Sequence, residues 1–249
     1  MAFLTFSLWF VTFGILFLLW RDEKRQHELA RQEELARLGV VGAVMAHEIR
    51  NPLAGIKGFA QLMETAGTMD QARHYAGRIV TQSLRMELLV NDLLSFARED
   101  RGERQPADLE VLVRDCITLI QVEADLGRIQ VNYSPHAALK VMVVSDRIIQ
   151  LLLNLLKNRL QAMPDGGELR VELEKIQSLA RIKVCDSGTG IPPEDLPHIF
   201  EPFWTSKARG TGLGLALCHK IAMEHGGNLT VESIVGAGTT FTLLLPMET

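Results

Sequence analysis

The chain is short of cysteine and has no excess of basic charge, and each shortage excludes a class of protein. Only three cysteines, Cys116, Cys185 and Cys218, occur among the 249 residues. Because their number is odd and their spacing is unlike that of metal ligands, we expect buried, reduced thiols rather than disulfides or a zinc site. The net charge is −4, and no basic stripe with interleaved aromatic residues occurs. We therefore expect no direct binding to nucleic acid.

A single long apolar run opens the chain. Residues 2–20 carry no charge and would form about 28 Å of helix, close to the thickness of a bilayer core. A cleaved signal peptide is the alternative, but no Lys or Arg precedes the run and no small-x-small cleavage site follows it. Arg21, Lys24 and Arg25 lie just past the run and favour a cytoplasmic location for the rest. We expect a transmembrane anchor over residues 1–20.

Helical patterns follow the anchor. Residues 21–37 contain no glycine or proline and predict a helical linker, and residues 38–100 contain two apolar seams that predict a helical hairpin. The first seam is Leu38, Val41, Met45, Ile49, Leu53, Ile56, Ala60 and Met63, and the second is Ile79, Met86, Val90, Leu93 and Ala97. Each helix has more apolar surface than one partner covers, so we expect two hairpins to form a four-helix bundle in a homodimer. A hairpin packed on the C-terminal domain of its own chain is the alternative.

The first seam places one histidine on the opposite side of its helix. At about 100° per residue, His47 lies roughly 160–200° from Met45 and Ile49. An imidazole at that position is presented to a partner. By itself, however, a histidine on a helix more often faces solvent without a role.

Beyond a charged linker at residues 98–106, helical and extended patterns alternate. This mixture predicts an α/β sandwich over residues 106–249, with helices on one face of a sheet. The expected helices lie near residues 108–125, 146–163 and 213–225. The expected strands lie near residues 129–133, 139–143, 169–174, 180–185, 228–233 and 239–245.

Two glycine-containing segments of this domain are suited to a nucleotide. Asp186 ends a predicted strand, where its carboxylate can accept a hydrogen bond from an exocyclic amine, and Gly188 and Gly190 let the backbone approach a flat ring. The second segment, residues 210–214, opens a helix and offers backbone amides to phosphates. Its residues are Gly210, Thr211, Gly212, Leu213 and Gly214, preceded by Lys207 and Arg209, which could neutralise phosphate charge. The chain has no P-loop motif, and the second segment does not follow a strand, which argues against a dinucleotide-binding unit.

A third segment contains two asparagines one helical turn apart. Asn154 and Asn158 share a polar arc with Gln150, Lys157 and Gln161. A neutral carboxamide oxygen suits Mg²⁺, which takes its remaining ligands from water and nucleotide phosphates. An ordinary exposed polar face is the alternative.

Together these segments resemble the sensor histidine kinases of two-component signalling, and the resemblance extends over nearly the whole chain. The short lid, with two residues between Lys207 and the glycines, is similar to that of nitrogen-regulation and sporulation kinases. The motifs that carry the resemblance are His47-Glu48-x-x-Asn51-Pro52-Leu53 (phosphoacceptor box), Asn154-x-x-x-Asn158 (N box), Asp186-x-Gly188-x-Gly190 (adenine box), Phe200-Glu201-Pro202-Phe203-Trp204-Thr205-Ser206-Lys207 (lid) and Gly210-x-Gly212-x-Gly214 (second glycine box).

The resemblance implies a dimerisation hairpin followed by an ATP-binding domain, on a bacterial inner membrane. It implies that Asp186 binds adenine, that Asn158 binds Mg²⁺ and that the glycines of residues 210–214 hold the phosphates of ATP. His47 would attack the γ-phosphoryl group, Glu48 would take the imidazole proton, and Asn51 would orient a water for dephosphorylation. The phosphoryl group would pass to an aspartate on a response-regulator receiver domain.

Arg159 departs from the family pattern, which usually has alanine after this asparagine. Its projected angle falls within the apolar arc of the helix, where an unpaired guanidinium would cost several kcal/mol. Three interpretations stay open: the side chain reaches the edge of the sheet, it pairs with a buried carboxylate, or the ATP domain is weakened. We predict that Arg159→Ala raises the melting temperature of the isolated fragment Pro106–Thr249; a lower melting temperature would show that the arginine is well accommodated.

Because of Arg159, functions other than that of an active kinase also have to be considered. A degenerate kinase that acts as a dimeric scaffold or phosphatase for a response regulator is the first alternative to an active kinase. An ATPase of the same nucleotide-binding superfamily, such as a chaperone or a DNA-repair clamp, is the second, although the outward His47 and its hairpin count against it.

Overall fold

The structure is a computed structural model that describes residues 45–46, 48–97, 102–135, 138–207 and 210–247. The predicted anchor over residues 1–20 and the predicted linker over residues 21–37 lie outside the described residues, and so do His47 and Arg209. In the ranges that are described, no helix is long and apolar enough to cross a membrane.

The chain divides into two units, Met1–Ser83 and Leu84–Thr249. The predicted hairpin is present: α1 covers residues 48–64, and α2 runs over Met69–Ala97 and continues from the first unit into the second. The domain boundaries predicted at residues 38–100 and 106–249 stay a prediction.

Aromatic contacts pair the two helices within the first unit. The rings of Phe59 and Tyr75 stack with their centroids 6.5 Å apart, and the Arg78 guanidinium lies 5.3 Å from the Phe59 centroid. The first apolar seam is only partly covered, since Leu53 is 54% exposed and Met63 is 39% exposed. Apolar surface of this kind is suited to a second copy of the hairpin. The dimeric four-helix bundle stays a prediction.

The second unit, where described, combines the end of α2 with three helices and two sheets. The helices are α3 (Leu109–Leu126), α4 (Ser145–Leu160) and α5 (Gly214–Glu224). The strands are β1 (Gln105–Asp108), β2 (Ile129–Ser134), β3 (Lys140–Val143), β4 (Gly167–Ile176), β5 (Leu179–Asp186), β6 (Asn228–Ile234) and β7 (Gly238–Pro246).

The larger sheet is mixed, with the strand order β2-β4-β5-β7-β6. β2 pairs with β4 in parallel, and the other neighbours are antiparallel. Side chains of β5 alternate between buried and half-buried positions, as expected when one face of the sheet is packed on helices. One hydrophobic core joins α3, α4 and α5 to this sheet, which confirms the predicted α/β sandwich.

The smaller sheet was not predicted. The sequence pattern assigned residues 98–106 to a linker, but Gln105 already begins β1, which pairs antiparallel with β3 in the register Gln105↔Val143. Asp108 then ends β1 and caps α3. Its Oδ1 accepts hydrogen bonds from the backbone amides of Glu110, at 3.1 Å, and Leu139, at 3.2 Å. The linker prediction was therefore wrong at its C-terminal end, because pairing with a distant strand orders a segment that has no strand pattern of its own.

The three cysteines are free thiols, and their burial differs. Cys116 and Cys218 are buried, and burial raises the pKa of Cys116 to about 11 and the pKa of Cys218 to about 12. Cys185 is only half-buried. The expectation of buried thiols is therefore correct for two cysteines and wrong for the third.

Candidate functional site

The predicted adenine-binding carboxylate lies at the end of β5. The Asp186 side chain is wholly buried, and its Oδ1 accepts a hydrogen bond of 2.8 Å from the Gly188 amide. A Cβ atom on Gly188 would come within 2.4 Å of the Ala162 carbonyl oxygen and 2.8 Å of Asp186 Oδ1. Only glycine therefore fits beside this carboxylate without a shift of the backbone.

Arg159 holds the other oxygen of the same carboxylate. Its Nη1 donates to Asp186 Oδ2 at 3.0 Å, and its guanidinium lies 4.6 Å from the centroid of the Phe241 ring. Arg159 is 4% exposed, so it does not reach the edge of the sheet. The pairing with a buried carboxylate is the interpretation that the structure supports.

This pairing reverses the expected effect of Arg159→Ala on stability. The rise in melting temperature predicted from the sequence assumed a guanidinium that is poorly accommodated in the core, whereas Arg159 has a buried partner. Because the guanidinium and Asp186 neutralise each other, truncation of Arg159 leaves a carboxylate without its counter-charge. The melting temperature is therefore expected to fall.

The predicted phosphate loop is a tight turn that leads into α5. Gly212 has a φ of +69°, and a Cβ atom there would lie 2.3 Å from the carbonyl carbon of Phe203. The Phe203 amide donates to the Gly212 carbonyl oxygen at 2.9 Å, which ties the predicted lid to the loop. α5 begins at Gly214, so the positive end of its dipole lies at the loop.

Asn158 joins the N box to the lid and to the glycine loop. Its Oδ1 accepts a hydrogen bond from Lys207 Nζ at 3.2 Å, and Lys207 Nζ also donates to Gln161 Oε1 at 2.9 Å. A Cβ atom on Gly214 would lie 3.5 Å from Asn158 Nδ2. Three segments that the sequence predicted separately therefore meet at one carboxamide. Asn154 instead lies near the buried thiol of Cys218.

The ammonium of Lys207 is largely shielded from water, although the residue as a whole is exposed. Loss of solvent around Nζ, followed by the positive charge of Arg159, lowers the pKa of Lys207 to about 8. Negative charge brought to the loop would favour the charged form again.

The remaining predicted residues are distributed over both units. Glu48 is half-buried and Asn51 is exposed on α1. Thr211 Oγ1 donates to Asp92 Oδ2 on α2 at 2.6 Å, and Leu213 is fully buried. Gly190 has a φ of +73°.

Two residues that the sequence did not single out for the site contact its predicted members. Asp92 contacts Thr211 from α2, and Gln161 contacts Lys207. Gln161 could have been found, because it shares the polar arc of Asn158. Nothing in the local pattern around Asp92 indicated its partner, since 119 residues separate the two.

The residues fit a magnesium nucleotide at its phosphate end. They provide a glycine turn at a helix N-terminus, the Lys207 cation and a carboxamide oxygen that already binds a cation. The fit is poorer at the end where the base would bind, because the Asp186 carboxylate already accepts a hydrogen bond from Arg159.

Comparisons with known proteins assign both parts of the chain. Residues 143–249 match the family described as histidine kinase-, DNA gyrase B- and HSP90-like ATPase. Residues 39–102 match the His Kinase A (phospho-acceptor) domain.

Curated relatives extend over most of the chain. Sporulation kinase D of Bacillus subtilis (strain 168) is 37% identical over 96% of the chain and 49% of its own length. The sensor histidine kinase ZraS of Escherichia coli (strain K12) is 38% identical over 90% of the chain and 48% of its own length. The chain thus spans about half the length of these curated relatives.

Solved structures are similar to this chain as well. The structure of histidine kinase ThkA in complex with the response regulator protein TrrA is 30% identical, covers 90% of this chain and 66% of that one, and has a TM-score of 0.76. The catalytic domain of ThkA alone is 32% identical, covers 59% of this chain and 97% of that one, and has a TM-score of 0.55. The chain therefore belongs to the family of sensor histidine kinases.

Proposed function

We propose that the chain is an ATP-dependent protein-histidine kinase that phosphorylates itself on His47. The observation that carries this proposal is the meeting of the N box, the lid and the glycine loop at Asn158, in a chain that also contains the matched phospho-acceptor domain. A domain in which a carboxamide, a cation and a helix N-terminus lie together is suited to bind a nucleoside triphosphate. The hairpin supplies the acceptor.

The roles of the residues follow from their chemistry. Bound Mg-ATP would supply the γ-phosphoryl group. The bond from this group to ADP breaks as an N–P bond forms on His47, and ADP is the leaving group. Glu48 accepts the imidazole proton as that bond forms. Asn158 supplies a carboxamide oxygen for Mg²⁺, Lys207 neutralises phosphate charge, and the amides of the loop at Gly212 hold the phosphate oxygens.

The proposal includes a location and partners. An anchor over residues 1–20 would hold a homodimer on a bacterial inner membrane, with the catalytic parts in the cytoplasm; the uncharged run and the basic residues after it support this. The phosphoryl group would pass to an aspartate on a response-regulator receiver domain. The complex of ThkA with a response regulator supports a partner of this kind. Asn51, exposed on α1, would orient a water for dephosphorylation.

One observation favours a second candidate function. Because Arg159 engages the predicted adenine carboxylate, a kinase-like scaffold or phosphatase for a response regulator is the alternative. The purified full chain in detergent, incubated with γ-labelled ATP and Mg²⁺, separates the two. Acid-labile, base-stable label on the protein supports the kinase. Absence of label with a bound response regulator supports the scaffold, and free phosphate without label would contradict both in favour of a simple ATPase.

Nucleotide binding is expected to take up protons near pH 8 through Lys207. Its pKa is lowered to about 8 in the free protein, and the phosphates should raise it. Uptake should therefore be about half a proton at pH 8 and about a tenth at pH 7, where the lysine is already charged. Calorimetry of Mg-ATP binding in two buffers of different ionisation enthalpy measures it. Lys207→Met should lose this uptake and Lys157→Met should keep it; equal uptake in both variants would contradict the assignment.

A further inference from the structure

The residue after Asn158 faces the base end of the proposed nucleotide site. Arg159 lies on α4, and its Nη1 is 3.0 Å from Oδ2 of Asp186, at the end of β5. The other carboxylate oxygen accepts the Gly188 amide. Both oxygens of the predicted adenine-binding carboxylate therefore have a donor supplied by the chain itself.

The pair leaves little room for a second donor. The side chains of Arg159 and Asp186 are 5% and 0% exposed. The guanidinium also lies over the Phe241 ring, a position in which a cation is attracted by the ring face. Arg159 Nε is buried and has no hydrogen-bond partner among the residues that the structure describes. The guanidinium is therefore held by its charge partner and by the ring rather than by a full set of hydrogen bonds.

The exocyclic amine of adenine is a weaker competitor for this carboxylate. It is a neutral donor, whereas the guanidinium is a charged donor, and hydrogen bonds between charged groups are the stronger kind. Burial also lowers the pKa of Arg159, in the sense expected when water is excluded from around a cation. A base that enters must displace this contact or bind without the carboxylate.

We propose that Arg159 determines the base specificity of the nucleotide site by holding Asp186, so that the 6-amino group of adenine contributes little to binding. This inference rests on the proposed function, since it concerns the same nucleoside triphosphate. The site then binds nucleoside triphosphates mainly through their phosphates. It discriminates weakly between adenine and a purine without the amino group.

The test is calorimetric titration of the full chain in detergent with Mg-ATP and with purine riboside triphosphate, which lacks the 6-amino group. In the unaltered chain, the two affinities are expected to be similar. Arg159→Ala frees the carboxylate and should raise ATP affinity on the order of 10- to 100-fold, the range of one hydrogen bond to a charged group. The affinity for purine riboside triphosphate should rise less, so that the ratio of the two affinities grows to about tenfold or more.

Two further variants keep the test informative. Arg159→Met removes the charge and retains much of the apolar stem, and it replaces Arg159→Ala if a thermal melt shows that the alanine variant does not fold. Arg147→Met is the matched control, because Arg147 is another buried arginine of α4 that pairs with Glu224, at 3.3 Å. It should change neither affinity.

Each outcome decides the inference. Equal ATP affinity in the unaltered chain and in Arg159→Ala overturns it and leaves the proposed function standing. A rise in ATP affinity that leaves the ratio of the affinities for ATP and purine riboside triphosphate unchanged also overturns it. Arg159 would then affect binding only by the space that its side chain occupies. If no folded variant binds either nucleotide, both the inference and the proposed function fail.

Discussion

Asp186→Ala is expected to lower the free energy of unfolding by about 3–5 kcal/mol, the range for breaking a buried ion pair at one partner. The side chains of Asp186 and Arg159 are 0% and 5% exposed, and their charged atoms lie 3.0 Å apart. Removal of the carboxylate leaves the guanidinium in the core with no counter-charge. Urea unfolding of the nucleotide-free full chain in detergent, followed by circular dichroism, measures the change.

Two comparisons assign the loss to the ion pair. Asp165→Ala removes an exposed aspartate and should change stability by no more than about 0.5 kcal/mol. The double variant Asp186→Ala/Arg159→Met replaces both charges with apolar groups, so it should recover much of the loss. If Asp186→Ala and Asp165→Ala unfold at the same urea concentration, the pair does not contribute as its geometry indicates.

His47→Gln is expected to reduce protein-bound label from γ-labelled ATP on the order of 10³-fold or more, as removal of a nucleophile does in other enzymes. Glutamine has no ring nitrogen with a free lone pair, so no N–P bond can form at this position. ATP affinity should stay unchanged, because the acceptor belongs to the hairpin rather than to the nucleotide-binding domain. Phosphorylation assays and calorimetry on the same preparation measure the two quantities.

The hairpin offers a matched control for this prediction. His74 is an exposed histidine on α2, so His74→Gln should retain the label. Label that persists in His47→Gln and disappears in His74→Gln would move the phosphoacceptor to α2. Loss of label in both variants, with ATP still bound, would indicate a disturbed hairpin rather than a lost nucleophile.

Local patterns predicted most of the second unit. The segment 180–185 alternates in hydrophobicity and lies within β5, Leu179–Asp186. The segment 146–163 has a helical period and corresponds closely to α4, Ser145–Leu160. These predictions succeed because the period of burial along a segment follows from its backbone geometry.

β1 could not be predicted from the local sequence pattern. A four-residue strand that contains Pro106 has too few positions to show an alternating pattern. Its backbone hydrogen bonds come from β3, more than 30 residues later. Only the folded chain brings that partner into reach.

The candidate site divides in the same way. The glycines and Asn158 were predicted because their chemistry belongs to the residue type and its immediate neighbours. The partner of Arg159 was not predicted. Helical geometry placed the side chain toward the core, but it could not identify which of the core groups the guanidinium contacts. Asp92 was missed altogether, because its contact with Thr211 depends on the folding of α2 against a distant loop.

The amino-acid sequence by itself determined the family, the order of the motifs and the residues suited to phosphate and metal. These properties are local, so short spacings and side-chain chemistry are enough to specify them. Only the tertiary structure decided that Arg159 neutralises Asp186 and that Lys207 reaches Asn158. Those contacts join residues 27 and 49 positions apart, and the distance between such residues is set by the packing of helix on sheet.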